Sequence, residues 1–309
     1  PDTEEAANFY QSRKKNSVQA ASSKKIIHNW KPKSELLSFE EITRIVKVSS
    51  SLGVNKVRIT GGEPLLRYGV DSLISSISNL NVIGDLSLTS NGSRFPILAK
   101  KLKEAGLNRI TLSLDSLNHK NFRRITGSDG LDNIIESIDL AKALDLTPIK
   151  VNAVIIRGIN DQEIESLVEF SIRKNIIIRM IEFMPLDSSR TWQRKHVVPG
   201  EEIINRIKSK FSITRLPSQN LSETATRWSI GNGNAEIGII SPVTKPFCGN
   251  CNRIRLTSDG KVRTCLFSLN EHDLKSMLRD GSSNSKLESR IKDIVLKKES
   301  GHKIDKPEF

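Results

Sequence analysis

The sequence predicts an α/β fold: parallel βα units that close as an open sheet or a barrel, then a smaller α+β unit. Three observations carry this. Short β-type runs alternate with helix-period stretches at regular spacing between Lys31 and Phe183. The texture changes after a linker at Pro185–Gly200, where short β runs follow one another. The 309 residues are 37% hydrophobic and 27% charged, the balance of a globular chain that can bury one large core or two smaller ones.

Residues 1–30 show no periodicity and read as a flexible arm. They are basic and Ser-rich, yet Asp2, Glu4 and Glu5 argue against a transit peptide. Ser38-Phe39-Glu40-Glu41 is a capping box that opens a helix ending near Gly53. Lys56–Thr60 is a β run, followed by Gly61-Gly62-Glu63-Pro64. The rhythm continues with helix Gly69–Leu80, strand Asp85–Ser90, turn Asn91-Gly92, helix Ser93–Ala105 and strand Arg109–Leu114. Helix Leu131–Leu144, strand Ile149–Ile156, helix Asp161–Lys174 and strand Ile176–Phe183 complete it. Beyond the linker come helix Glu201–Lys210 and β runs at Phe211–Leu216, Ala225–Ile230, Ala235–Ser241, Arg253–Thr257 and Lys261–Cys265. Helices Glu271–Arg279 and Ser285–Lys298 close the chain. No run of about 18 apolar residues is present, so no membrane span is expected.

In a βα barrel the chemistry gathers at the carboxyl ends of the strands. The polar residues there are Arg58 and Gly62, Thr89, Ser113 and Asp115, Lys150 and Asn152, and Glu182 and Met184. Lys150 and Asn152 alternate on one strand and share a face, and an interior lysine needs an anionic partner. Singly, each has a plainer reading: a strand-to-helix turn for Gly61-Gly62, a cap for Thr89, core filler for Met184, an edge lysine for Lys150.

The stretch at 247–267, FCGNCNRIRLTSDGKVRTCLF, holds all three cysteines: Cys248, Cys251 and Cys265. Two thiols three apart share one turn, and the third arrives after a hairpin with Asp259-Gly260 at its tip. Such a trio suits an iron–sulfur cluster with one open iron, or zinc with His272 as fourth ligand. Buried, inert cysteines are the plainer alternative. Arg253 and Arg255, two apart on the predicted strand, point to one face and suit a nucleotide base or phosphate. The net charge of +13 favours an anionic partner.

The segments VRITGGEPLLR (57–67), LTSNG (88–92), ITLSLDSL (110–117), KVNAVIIRGIN (150–160), RMIEFMP (179–185) and the cysteine hairpin together resemble the GTP 3′,8-cyclase family of molybdenum-cofactor biosynthesis, radical S-adenosylmethionine (SAM) enzymes. The resemblance implies an incomplete parallel βα barrel of the TIM type at 31–190 and a C-terminal α+β iron–sulfur domain at 191–309, with 1–30 outside the family pattern. It implies a four-iron cluster on Cys248, Cys251 and Cys265 whose open iron meets the purine of GTP. Arg58, Thr89, Lys150, Arg253 and Arg255 would bind GTP, and Gly62, Ser113 and Met184 would line the SAM site. The family product, 3′,8-cyclo-7,8-dihydro-GTP, passes to a cyclic pyranopterin monophosphate synthase. Family members occur in bacterial cytoplasm and in mitochondria, so either compartment is open. A homodimer is compatible with the family, while a nucleic-acid partner or a membrane is not expected.

The sequence departs from the family in one chemical respect. The family holds a first cluster, the one that reduces SAM, on a C-x3-C-x2-C motif after the first barrel strand. An arginine precedes that motif and an aromatic lies within it. Here the only cysteines are those of the hairpin, and the place upstream of Leu36–Glu41 is filled by lysine-rich text. A replaced first exon or a faulty gene model accounts for this, with a pseudoenzyme as the alternative. The expectation is that this polypeptide supports one cluster where the family has two, cannot make the SAM radical, keeps part of its GTP binding and leaves its first strand edge exposed. Two readings of another class remain: a non-catalytic GTP-binding relative, and a zinc-binding nucleic-acid module. The C-terminal Gly-Gly of the family is also absent, the chain ending Lys306-Pro307-Glu308-Phe309.

Overall fold

The computed structural model describes residues 31–186, 192–231, 233 and 235–301. The expectations for 1–30, for part of the 185–200 linker and for the last residues lie outside these. Helix α1 (Phe39–Ser51) opens on the expected capping box. The Ser38 hydroxyl accepts from the Glu41 N–H at 3.1 Å, and the Glu41 carboxylate accepts from the Ser38 N–H at 2.7 Å. The βα rhythm then runs β1 (Lys56–Ile59), α2 (Val70–Ser78), β2 (Asp85–Ser90), α3 (Phe95–Glu104) and β3 (Arg109–Ser113). It continues with α4 (His119–Thr126), α5 (Leu131–Ala143), β4 (Lys150–Ile155), α6 (Ile164–Lys174) and β5 (Ile177–Glu182). After it come α7 (Gly200–Lys208), β6 (Ile213–Arg215), β7 (Thr226–Ile230), β8 (Ala235–Ile240), β9 (Arg255–Leu256), β10 (Lys261–Arg263), β11 (His272–Asp273), α8 (Lys275–Arg279) and α9 (Asn284–Leu296).

The main sheet has eight strands in the order β1-β2-β3-β4-β5-β8-β7-β6. Strands β1 to β5 and β8 pair in parallel, and β7 and β6 are antiparallel additions. The sheet is open, with β1 and β6 at its edges, so the α/β fold is a partial barrel. It runs without a break across the 190/191 boundary, because β8 from the C-terminal half pairs with β5.

Alternation along the strands separates two sets of side chains. Leu86, Leu88, Ile110, Leu112, Val151, Ala153, Ile178, Met180, Ile237 and Ile239 are buried in the core under the helices. The alternate positions, Arg58, Ser87, Thr89, Arg109, Thr111, Lys150, Asn152 and Arg179, form a polar inner face. Parallel sheets are usually apolar on both sides, so a charged inner face marks a place for chemistry rather than packing. Lys150 and Asn152 share it, as their spacing predicts.

Carboxylates, two of them buried, pin the loops that follow the strands. Glu63 of the GGEP turn accepts from the Leu65 N–H, the Ser90 hydroxyl and the Asn91 N–H, tying the ends of β1 and β2. Glu163 accepts from the Ser116 hydroxyl and the Leu117 N–H, tying the loops after β3 and β4. Glu182, fully buried, accepts from the N–H groups of Gly200, Val243 and Thr244 at 2.7, 2.8 and 2.9 Å and from the Thr244 hydroxyl. Its position at a strand end serves the scaffold. Glu182→Ala orphans these donors at about 1–3 kcal/mol each. It is expected to lower unfolding stability by about 3 kcal/mol or more, read from urea denaturation.

A second core packs Leu37 and, from α1, Ile45 and Val48 against Val262 of β10, Leu274, and Leu287, Ile291 and Ile294 of α9. Gly260, at the hairpin tip, has φ +84°, and a Cβ there would lie 2.6 Å from Lys275 Cβ and 3.0 Å from Leu37 Cδ2. The cysteine hairpin is thereby fastened to helix α1. Three expectations need correction. Helix α4 was not foreseen. The Glu271–Arg279 helix begins only at Lys275, because His272 pairs with Val262 in β11 and Asp273 accepts from the N–H groups of Lys275 and Ser276. Arg253 lies ahead of β9 rather than on it, since its guanidinium turns back to Cys251.

Candidate functional site

The strand register stacks the inner-face residues in rows. Arg58 stands opposite Ser87, and Ser87 opposite Arg109. Thr89, Thr111 and Lys150 form the next row, and Ser113, Asn152, Arg179 and Gly238 the one beyond. Two of the cations on this face are neutralised. Arg109 grips Asp85 through two bonds of 2.8 and 2.6 Å, and Arg227 grips Glu236 in the same way. Among the described residues no carboxylate forms an ion pair with Arg58, Lys150 or Arg179.

The electrostatics follow from that imbalance. Burial pushes Lys150 down to about 8; the charges of Arg179, Arg109 and Arg58 add to this, and Glu236 opposes it. Burial, and then Arg58 and Arg109, hold Arg179 below its ordinary value. Arg58 is lowered by burial and by Arg109 and Arg253, with Asp85 acting the other way. Cations pressed together without counter-charge make a site for a polyanion.

Arg179 is only 8% exposed; its Nη2 lies 3.4 Å from the Thr111 hydroxyl, and its Nε makes no hydrogen bond. The sequence reading passed over it. Gly238 gives it room: a Cβ at 238 would lie 3.1 Å from Arg179 Cγ and 3.1 Å from Ala225 Cβ. Gly238→Ala should cost about 1 kcal/mol through overpacking, measured by urea unfolding of the ligand-free chain.

The other expected residues sit along the same mouth. Gly62 lies on the exposed turn after β1. Ser113 ends β3 opposite Asn152. Met184 follows β5 and packs, as do Trp192 and, from the cysteine hairpin, Phe267, against Val197 and Val243. The Thr89 hydroxyl oxygen and the Asn152 Oδ1 are buried and make no hydrogen bond. Asp115 accepts from the Val154 N–H at 2.8 Å; burial pushes it up to about 6 against that bond.

Cys248, Cys251 and Cys265 are half-buried free thiols. The Arg253 guanidinium donates to Cys251 Sγ at 3.2 and 3.4 Å and stacks 5.3 Å over the Phe247 ring. Burial alone would raise the Cys251 pKa; hydrogen bonds from Arg253 and the charges of Arg253 and Lys298 outweigh it and lower the value. Arg255 is lowered by burial and Arg253, with Cys265 and Cys251 opposing. Arg253 also bears on Arg58, so the hairpin guanidinium stands within electrostatic reach of the basic face. Among the described residues no three His, Cys, Asp or Glu side chains are grouped as for a single metal ion. His272 is not grouped with the hairpin thiols around one ion, which speaks against the closed zinc site. A four-iron cluster binds each thiolate to a different iron, so its ligands stand wider apart than those around one ion.

A family model described as "Radical SAM superfamily" matches residues 14–171, and one described as "Molybdenum Cofactor Synthesis C" matches residues 176–304. The GTP 3′,8-cyclase of Acidothermus cellulolyticus is 42% identical over 267 residues, covering 86% of this chain and 74% of that protein. The chain belongs to the GTP 3′,8-cyclase family. The family member from Thermodesulfovibrio yellowstonii is also 42% identical, over 91% of this chain and 87% of its own. Two solved structures share the fold. Streptococcus suis SuiB bound to S-adenosylmethionine has a TM-score of 0.55 at 17% identity, covering 85% of this chain and 62% of that one. Native anSMEcpe with bound AdoMet and a peptide has a TM-score of 0.55 at 16% identity, covering 81% and 74%. No helix among the described residues is long and apolar enough to cross a membrane.

As a radical-SAM enzyme family, the GTP 3′,8-cyclases use SAM and a four-iron cluster. The residues present do not fit the cluster that reduces SAM. Its donor set is three cysteines, and the three of this chain all lie on the hairpin. The hairpin thiols do fit a cluster: all three are half-buried, and Arg253 and Lys298 favour the thiolate form of Cys251. The orphan polar atoms of Thr89 and Asn152 fit a polar ligand such as SAM or a nucleotide.

Proposed function

We propose that this member of the GTP 3′,8-cyclase family binds GTP across the inner face of its sheet, with the base turned to the cysteine hairpin. The observation that carries the reading is a group of cations on one sheet face with no ion-pair partner among the described residues: Arg58 at its exposed rim, Lys150 half-buried and Arg179 buried, on the side of Arg253 and Arg255. The first three take the triphosphate. Arg253 and Arg255 hold the nucleotide at the hairpin, and the Thr89 hydroxyl supplies a polar contact between them. Gly62, Ser113 and Met184 line a SAM site at the same mouth. Cys248, Cys251 and Cys265 hold one four-iron cluster, which when bound would offer an open iron to the purine. In this division 31–190 supplies strands β1 to β5 of the sheet, and 191–309 supplies β6 to β8 and the hairpin.

In the family the reaction closes GTP to 3′,8-cyclo-7,8-dihydro-GTP, which a cyclic pyranopterin monophosphate synthase would take up. This polypeptide by itself binds the reactants and orients them without cleaving SAM. Anaerobic purification and reconstitution should give about four irons per chain with brown absorbance. GTP titration should show Arg253→Ala with Arg255→Ala weakening affinity by about tenfold or more. Zinc in place of iron, or unchanged GTP affinity in the double variant, would overturn the reading.

A further inference from the structure

Helix α9 hands the chain to Lys298 and Glu299, and both side chains turn back onto the cysteine hairpin. The Lys298 ammonium donates to the Arg253 carbonyl at 2.9 Å and to the Thr264 carbonyl. These carbonyls lie on opposite limbs, one just after Cys251 and the other just before Cys265. The Glu299 carboxylate accepts from the Thr264 hydroxyl at 2.6 Å and the Ser268 hydroxyl at 2.5 Å, on either side of Cys265. Thr264 and Ser268 are both buried.

The strand ladder does not do this job. Pairing between β9 and β10 is confined to Val262 with Leu256 and Arg263 with Arg255. Beyond those pairs the limbs that carry Cys251 and Cys265 share no ladder, and the Lys298 ammonium bridges them. The clamp is itself anchored, because Leu287, Ile291 and Ile294 of α9 pack with Val262 of β10.

We infer that Lys298 and Glu299 are positioning residues for the three-thiol site, holding the limbs of the hairpin so that Cys251 and Cys265 are in place before a cluster is built. The inference rests on the proposal that these thiols carry a cluster. Groups that orient metal ligands in this way typically contribute about 10- to 100-fold to metal affinity. A role confined to tying down the end of α9 would show in stability alone.

Lys298→Met keeps the bulk and removes the donors, Lys298→Arg restores donors and charge, and Glu299→Gln is the milder companion. After anaerobic reconstitution, Lys298→Met should lose iron to a chelator about 10- to 100-fold faster than the parent chain. Its reduced cluster should give an altered electron paramagnetic resonance signal, and Lys298→Arg should recover both properties. Equal loss rates and an unchanged signal in Lys298→Met and Glu299→Gln would overturn the inference. So would iron loss that merely follows a lower unfolding midpoint of the metal-free chain. If the parent chain takes up no iron, the cluster reading itself fails, and alkylation of the metal-free thiols still tests the clamp. At an alkaline pH that ionises the thiols in both chains, so that the lost Lys298 charge no longer sets the thiolate fraction, Cys251 and Cys265 should react about tenfold faster in Lys298→Met, and equal rates would refute it.

Discussion

S-adenosylmethionine incubated with the reconstituted 309-residue chain and a low-potential reductant should be recovered intact, with no 5′-deoxyadenosine above a protein-free control. Splitting a sulfonium reductively needs an electron delivered at the sulfur, and the family delivers it from an iron that SAM itself chelates. That cluster demands three thiolates of its own. The chain has three cysteines in total, within 248–265. Among the described residues no other His, Cys, Asp or Glu group is arranged to replace them. On the proposal that Gly62, Ser113 and Met184 line the SAM site, binding persists at reduced affinity without the chelating iron, and the loss falls chiefly on turnover. Equilibrium binding should detect SAM, and Ser113→Ala should weaken it by about tenfold or less. Cleavage at any rate above the control would mean that donors other than cysteine carry a reducing cluster.

Much of the site was legible because strands have a period of two. Once β4 was placed, Lys150 and Asn152 had to share a face, and the buried partners Val151 and Ala153 confirm which face. The capping box at Ser38 and the turn at Asp259-Gly260 were readable for the same reason: a local hydrogen bond or a left-handed residue fixes them without help from the rest of the chain. Arg179 escaped because Ile176–Phe183 reads as an apolar strand, and one arginine within it looks like an interruption. The available signal was that a charge inside a core strand needs a reason. Arg253 was misread because the hairpin pairs over so few residues. Its direction is set by a sulfur and a phenyl ring that only the folded turn brings near. Helix α4 is short, with Phe122 and Ile125 as its two apolar positions, too few to show a helical period; its N-cap Asn118, which accepts from Lys120 and Asn121 N–H, was the missed sign. The Lys298–Glu299 clamp joins residues far apart in sequence and had no local signature at all.

Arg179→Ala should weaken GTP binding by about 10- to 100-fold, since a charge-assisted hydrogen bond is worth about 1.5–3 kcal/mol. Arg109→Ala should change it much less, because that guanidinium is held by Asp85. The ligand-free chain should respond in the opposite sense. Removing a buried cation without counter-charge relieves repulsion with Arg58 and Lys150, so the loss of stability should be smaller than truncating a buried side chain normally brings. The pH profile supplies a separate check. In the free chain Lys150 titrates near 8, and a bound triphosphate favours its charged form and raises that value. The bound state therefore holds the proton more tightly than the free state. GTP affinity is then full below about pH 8 and declines as pH rises through it. In Arg179→Ala a repelling neighbour of Lys150 is gone, its free value moves back toward the ordinary lysine range, and the decline should shift to higher pH. Calorimetric titration of GTP between neutral and alkaline pH reads both effects. An affinity in Arg179→Ala equal to the parent at neutral pH, with an unmoved alkaline limb, would remove Arg179 from the triphosphate site.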